Sequence, residues 1–258
     1  MPKRDEVLNA CNMPDKYLPM LESDYWTQFV HSWQDYLAAS LRGERNADAE
    51  WTIPEMLGNV NDTLTVDDLK YGCAISATRY VAVDKRQRLM MIPVYDMANH
   101  VRDCPHYISA YDDGDEVHII AGTDVQPGDE ICYSYGHTMR DDYAVMHYGF
   151  VPDLEDPPRL LQIDHHEFDP AKHHQEINTE RFEGTPEEVR KELERQQKTL
   201  ARLEQMDEAR KGQDKPAPGT DYIHDTLTEL QWRRRNALRY EVNRLKGALA
   251  AAGGRSEL

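Results

Sequence analysis

From Ser23 onward, apolar positions recur at helical spacing, with Trp26, Phe29, Val30, Trp33 and Leu37 on one face. The polar run RGERNADAE interrupts the pattern, and Trp51 to Asn61 resumes with mixed character. Thr65 followed by Asp68 has the form of a helix N-cap with an acidic first turn. A second helix is therefore expected through Leu69, Cys73 and Ala74 to about Arg79. The period then changes. Leu89 to Val94 is a short apolar run that predicts a buried strand. Tyr107 to Tyr111 and Glu116 to Ala121 flank Asp112-Asp113-Gly114-Asp115, a hairpin signal. Pro127-Gly128 marks another turn, and Glu130 to Tyr135 reads as the next strand. Asp141 to Tyr148 suits a short helix that Gly149 ends.

The last third is different. After about Asp164 the chain is polar and rich in histidine. Thr185-Pro186-Glu187-Glu188 is a capping box with proline at the first helical position. Val189, Leu193, Leu200, Leu203 and Met206 then form one apolar stripe. KGQDKPAPGT is a linker by composition, and a final helix carries Leu227, Leu230, Leu238, Val242, Leu245 and Leu249 up to Gly253-Gly254. These two helices are expected to pack as an antiparallel pair rather than as a coiled coil with a partner, because Gln196 and Gln197 break the stripe.

Composition narrows the function. Lysine and arginine total 30 against 47 aspartates and glutamates, for a net charge of -17 over 258 residues. Such a chain repels a phosphate backbone, which argues against nucleic acid, and attracts a basic protein. No apolar run reaches the roughly 18 residues of a membrane span. Cys11, Cys73, Cys104 and Cys132 lie far apart with no C-x-x-C pair, so neither a zinc site nor a disulfide framework is expected and a reducing, intracellular setting fits. Asp164, His165, His166, His173 and His174 lack convergent ligand geometry, so no metal is assigned. The start of the chain has neither signal nor transit character; cytoplasm or nucleus is the default and a plastid the alternative.

Three segments carry the chemistry: Ile92-Pro93-Val94-Tyr95-Asp96-Met97-Ala98-Asn99-His100; Val125 to Gly136, which holds Pro127-Gly128-Asp129-Glu130 and Tyr133-Ser134-Tyr135-Gly136; and His147-Tyr148-Gly149-Phe150-Val151. Each alone is commonplace. Their order is not: D-x-x-N-H after an apolar strand, a hairpin, a G-D-E turn, Y-x-Y-G, then Y-G-F. That series resembles the SET methyltransferases, most closely the branch of the Rubisco large-subunit lysine methyltransferase and the actin-histidine methyltransferase. The resemblance covers roughly Ser23 to Ile163.

The resemblance implies an α+β fold: a SET-type β-fold of pseudoknotted short sheets with a helical insert and an α-helical C-terminal region. On that pattern residues 1–22 are an irregular N-terminal segment, 23–80 the insert, 81–163 the C-terminal SET core, 164–184 a polar connector, and 185–258 a helical region for substrate or partner. It further implies S-adenosylmethionine as cofactor, held by Arg79, Asn99, His100, Tyr135, Tyr148 and Phe150. Tyr135 matches the catalytic tyrosine beside the transferred methyl. Thr78, Arg79, Tyr95, Asp96, Tyr107 and Tyr148 match the substrate side. The expected partner is a protein bearing the target lysine or histidine, met by a monomer.

Two departures from the family pattern matter. The family begins with an N-terminal half-SET segment containing a G-x-G turn, and no G-x-G occurs before Thr78. The chain is thus expected to start inside the family's fold, which admits a non-catalytic interaction module beside the enzyme. The target is also double-valued. Lysine-directing members often carry an aromatic residue where this chain has Val81, whereas Tyr95 resembles the histidine-directing member, whose asparagine is absent at Val81. The balance favours lysine.

Overall fold

The computed structural model describes residues 7–44, 63–83, 88–110, 117–136, 139–154, 157–158, 182–212 and 216–253. Its elements are α1 (Asp24–Leu41), α2 (Val66–Arg79), β1 (Tyr80–Val83), β2 (Arg88–Met91), β3 (Tyr107–Ala110), β4 (Val117–Ile120), α3 (Asp141–Tyr148), α4 (Pro186–Ala209) and α5 (Tyr222–Gly253). The expected N-cap at Thr65 and the expected capping box at Thr185 both form, the first as a full capping box too. Thr65 accepts from the Asp68 amide at 3.2 Å, and the Asp68 carboxylate accepts from the Thr65 amide at 2.9 Å. Thr185 and Glu188 make the same reciprocal pair at 3.4 and 2.7 Å, with Pro186 at the start of α4.

The chain divides into two compact units. The first comprises residues 1–14, 26–139 and 143–153. Its sheets are small: β1 pairs antiparallel with β2, from Tyr80 opposite Met91 to Val83 opposite Arg88, and β3 pairs with β4, from Tyr107 opposite Ile120 to Ala110 opposite Val117. The hairpin is as expected, although its turn lies outside the described residues. Three strand expectations need correction. β1 was not foreseen. The Leu89–Val94 run is neither as long nor as buried as its composition suggests: β2 ends at Met91, and Met91 and Val94 are 50% and 78% exposed. Pro93 cannot donate to a ladder, so the strand stops before it. Glu130 to Tyr135 makes no strand, because its one pairing among the described residues is a parallel bridge between His100 and Tyr133.

Residues 7–14 form no helix or strand, yet they are core. Leu8, Asn9, Cys11 and Met13 are all buried. Cys11 packs with Leu37 of α1 and Ala74 of α2. The buried Asn9 amide donates to the Ala74 carbonyl at 3.1 Å and the His147 carbonyl at 3.4 Å, and the Ala10 amide donates to Met146 at 2.8 Å. This segment therefore ties the α2 and α3 backbones together. At the end of α3, Gly149 adopts φ +78°, and a Cβ there would run into the Leu8 carbonyl. Glycine at this helix exit is thus required by both conformation and space.

The cysteine expectation is overturned. Cys11–Cys73 and Cys104–Cys132 are disulfides, each with Cα atoms 5.9 Å apart. Sequence distance does not limit Cα approach once the chain folds back, and 5.9 Å lies at the usual disulfide separation. The inference of a reducing setting from separated cysteines loses its basis.

The second unit comprises residues 15–25, 140–142 and 154–258. A short 3-10 helix (Asp15–Leu21) precedes the long pair α4 and α5. The pair is antiparallel: near one end Arg235 of α5 donates to the Leu203 carbonyl of α4 at 2.7 Å, and near the other Arg244 donates to the Phe182 carbonyl at 2.7 Å. The seam contains Val189, Leu203, Leu227, Leu230, Leu238 and Leu245. Gln196 does not interrupt it: the residue is fully buried, and its amide donates to Glu192 at 2.9 Å. Glu22, also buried, accepts from Arg235 at 2.6 Å and Arg234 at 3.4 Å, and pairs with Arg210. Burial pushes Arg234 down to about 10, against the pull of Glu22, so it remains a cation at neutral pH. No helix among the described residues is long and apolar enough to cross a membrane.

Candidate active site

The site is assembled from element ends in the first unit. Thr78 and Arg79 close α2. Thr78 spends its hydroxyl proton on the Ile75 carbonyl at 2.9 Å. Arg79 donates to the Asp96 carbonyl at 3.2 Å, and its guanidinium lies 3.8 Å from the Asp96 carboxylate. Asp96 reaches this position through an unusual backbone. Val94 adopts φ +75° and ψ -48°, a conformation β-branched residues avoid, and the chain then turns through a short 3-10 helix (Tyr95–Met97).

Beyond that turn, Asn99-His100 lies against Tyr133-Ser134-Tyr135. The Tyr133 amide donates to the Asn99 carbonyl at 2.9 Å, and the Val101 amide to the Tyr133 carbonyl at 3.1 Å. The Tyr135 amide donates to Nδ1 of His100 at 3.0 Å, which makes Nδ1 an acceptor and, in the neutral ring, puts the proton on Nε2. The Tyr135 hydroxyl donates to the Ala98 carbonyl at 2.7 Å. Its oxygen is thereby fixed, with lone pairs left over. The Asn99 side-chain amide donates to Glu130 at 2.6 Å.

Aromatic rings close the arrangement. The Tyr135 ring centroid is 4.8 Å from Tyr148 and 5.2 Å from His100, and Phe150 lies 5.8 Å from His100 and 6.2 Å from Tyr148. Burial raises the Tyr135 and Tyr148 phenols above their ordinary 10.0, so both are neutral at physiological pH.

These residues surround one cavity of about 430 Å³, lined by Thr78, Arg79, Asp96, Met97, Asn99, His100, Tyr135, Tyr148 and Phe150. Two expected site residues stand elsewhere. Tyr95 is 5% exposed and packs edge-on against Tyr133, with centroids 4.9 Å apart, instead of lining the cavity. Tyr107 opens β3 and is 54% exposed. The sequence reading missed Met97, Glu130 and Asn9. Only the E in G-D-E offered a signal; Met97 and Asn9 offered none.

The lining brings charged, polar and aromatic groups together. Asp96 supplies a carboxylate 3.8 Å from the Arg79 guanidinium, Asn99 a side-chain amide, and Tyr135, Tyr148 and Phe150 ring faces of the kind that attract a cation. The volume falls within the range of small-molecule sites.

The SET domain family model matches residues 3–136, just over half of the chain. The chain belongs to the SET domain family. Members are S-adenosylmethionine-dependent methyltransferases that act on proteins. Among solved structures, the SET domain of LSMT bound to lysine and AdoHcy aligns with a TM-score of 0.56 at 14% identity, covering 96% of this chain and 69% of that one. At that identity the likeness is one of fold. A comparison with curated proteins finds no match.

Proposed function

We propose that this SET protein transfers a methyl group from S-adenosylmethionine to a lysine side chain of a protein, with Tyr135 as the catalytic residue. The observation that carries the reading is the single cavity on which Arg79, Asp96, Asn99, His100, Tyr135, Tyr148 and Phe150 converge. The cofactor, when bound, supplies an electrophilic methyl. The chain's own residues do the rest. Arg79, Asn99, His100 and Phe150 hold the cofactor. Asp96 receives and orients the incoming amine beside Thr78, and the apolar ring faces of Tyr148 and Phe150 lower the amine's pKa towards the neutral form that can attack. Tyr135 cannot swing away, because its proton is committed to Ala98, and its oxygen offers lone pairs towards positive charge.

Lysine is favoured over histidine on two grounds. The asparagine expected for a histidine target is absent at Val81. Tyr95, the residue that resembled the histidine-directing member, is turned into the core against Tyr133. The SET domain of LSMT, bound to lysine and AdoHcy, supports the same choice.

The test is to incubate the chain with protein extract and methyl-labelled cofactor, hydrolyse the labelled protein and identify the modified amino acid. Methyl-lysine is the expected product. Methyl-histidine would replace lysine as the target, and cofactor binding without any transfer would leave an interaction module in place of an enzyme.

A further inference from the structure

We propose that Cys104, Cys132 and His106 form a thiol–disulfide exchange site, opened by dithiol reductants, whose state sets the order of the cavity built by Asn99, His100 and Tyr135. Cys104 follows the Asn99-His100 pair and Cys132 directly precedes Tyr133. The crosslink thus joins the two segments that form the His100–Tyr133 bridge. Beside it, those segments are joined by the Tyr133 and Val101 backbone bonds at 2.9 and 3.1 Å, the Tyr135–His100 bond at 3.0 Å, and the side-chain bonds Tyr135–Ala98 and Asn99–Glu130 at 2.7 and 2.6 Å. Such short ladders open easily when no further strand extends them. The other disulfide is in a different situation, because Cys11 and Cys73 sit in an apolar cluster with Leu37 and Ala74, whose packing adds to the bond.

The surroundings suit exchange. Cys104 is 6% exposed and Cys132 is half-buried, so Cys132 is the sulfur a reductant reaches and Cys104 the one that leaves. A ring nitrogen of His106 lies within 4.8 Å of both sulfurs. The Gly122 amide donates to Nδ1 of His106 at 3.3 Å, which in the neutral ring favours the Nε2–H tautomer, a hydrogen-bond donor that can stabilise a departing thiolate until water protonates it. A Cβ on Gly122 would overlap the Pro105 carbonyl, so the backbone beside this histidine is closely gripped. With the sulfurs bonded to each other, the cluster offers no thiolate to a metal.

The reaction balances as a two-electron exchange. One thiolate of a dithiol attacks Cys132 Sγ, the protein S–S bond breaks, and Cys104 leaves and takes up a proton. The second thiol of the reductant then displaces Cys132 as a thiol. The reductant is oxidised to its own disulfide and both cysteines are reduced.

The experiment uses the full chain, oxidised or treated with dithiothreitol, with alkylation mass mapping to establish which cysteines are free. Amide hydrogen exchange at Val101, Tyr133 and Tyr135 reads the clasp without any cofactor, and calorimetry with AdoHcy reads its consequence. Reduction, and the double variant Cys104→Ser with Cys132→Ser, are expected to speed exchange at these amides and weaken AdoHcy binding by about tenfold. The Cys11→Ser, Cys73→Ser variant should keep both properties. Free thiols at Cys104 and Cys132 in the untreated protein, or unchanged exchange after their reduction, would overturn the proposal. The binding readout rests on the methyltransferase reading. If the oxidised chain fails to bind AdoHcy while reduction still speeds exchange, that reading fails and the clasp stands.

Discussion

In the helical unit a buried carboxylate, Glu22, answers three arginines, and two long helices bury an apolar seam. Among the described residues of the cavity unit no strand exceeds four residues, one parallel bridge joins the two segments that carry His100 and Tyr135, and disulfides supply covalent ties. The helical unit draws its stability from regular structure and matched charge. The cavity unit gives up regular structure for the ability to converge the ends of many elements on one point. Functional side chains sit where ladders stop, as is usual for residues that must point into a site.

The sharpest way to break this contrast is at Glu22. Replacing it by alanine leaves Arg234 and Arg235 buried without the carboxylate they share, and should cost about 3–5 kcal/mol in urea unfolding. A loss below about 1 kcal/mol would mean the cluster is solvated. A smaller but more local effect is expected at Gly149→Ala, where the left-handed backbone and the Leu8 carbonyl together should cost about 2 kcal/mol or more. Thermal unfolding of the variant checks this, with Gly128→Ala, which meets nothing nearby though its φ is +99°, as the reference for backbone strain alone.

The site itself is probed by Tyr135→Phe. Removing the oxygen that Ala98 fixes should lower methyl transfer on the order of a hundredfold while leaving cofactor affinity within a few fold. Equal loss of both would make Tyr135 a packing residue.

pH separates the two units with the smallest effects. Tyr95, Tyr135 and Tyr148 all have pKa values raised, chiefly by burial. Their folded forms hold protons that the unfolded chain releases near 10.0, so their contribution is complete below that pH and is lost as pH rises above it. Glu188 runs the other way. Hydrogen bonds from the Thr185 backbone and side chain lower its pKa, so the cap at the start of α4 is intact above the ordinary carboxylate range and is lost as pH falls through the depressed value. Circular dichroism of α4 at acid pH, and near-ultraviolet absorbance of the tyrosines at alkaline pH, report each separately.

Legibility in the sequence followed the same divide. The capping boxes at Thr65 and Thr185, the end of α3 at Gly149 and both long helices were readable, because caps and stripes are local and repeat over many residues. The convergence of Asn99, His100, Tyr135, Tyr148 and Phe150 was readable only from the order of several weak motifs. What stayed hidden was non-local. Nothing near Asn9 announces that its amide ties α2 to α3, and nothing near Cys104 announces Cys132. Tyr95 was expected to face the site, yet its neighbour Val94 takes a left-handed backbone and the ring turns inward. A single φ outside the common regions reverses such a reading, and sequence patterns carry no trace of it.

The central claim is that the cavity between Arg79 and Phe150 receives the cofactor. Titration calorimetry with S-adenosylmethionine and its demethylated product on the intact, oxidised chain tests it most directly. The account predicts saturable binding at one site, weakened at least about tenfold by Asn99→Ala, which removes a side chain that lines the cavity on the cofactor side. Absence of binding by a folded chain, or binding unchanged in that variant, would contradict it.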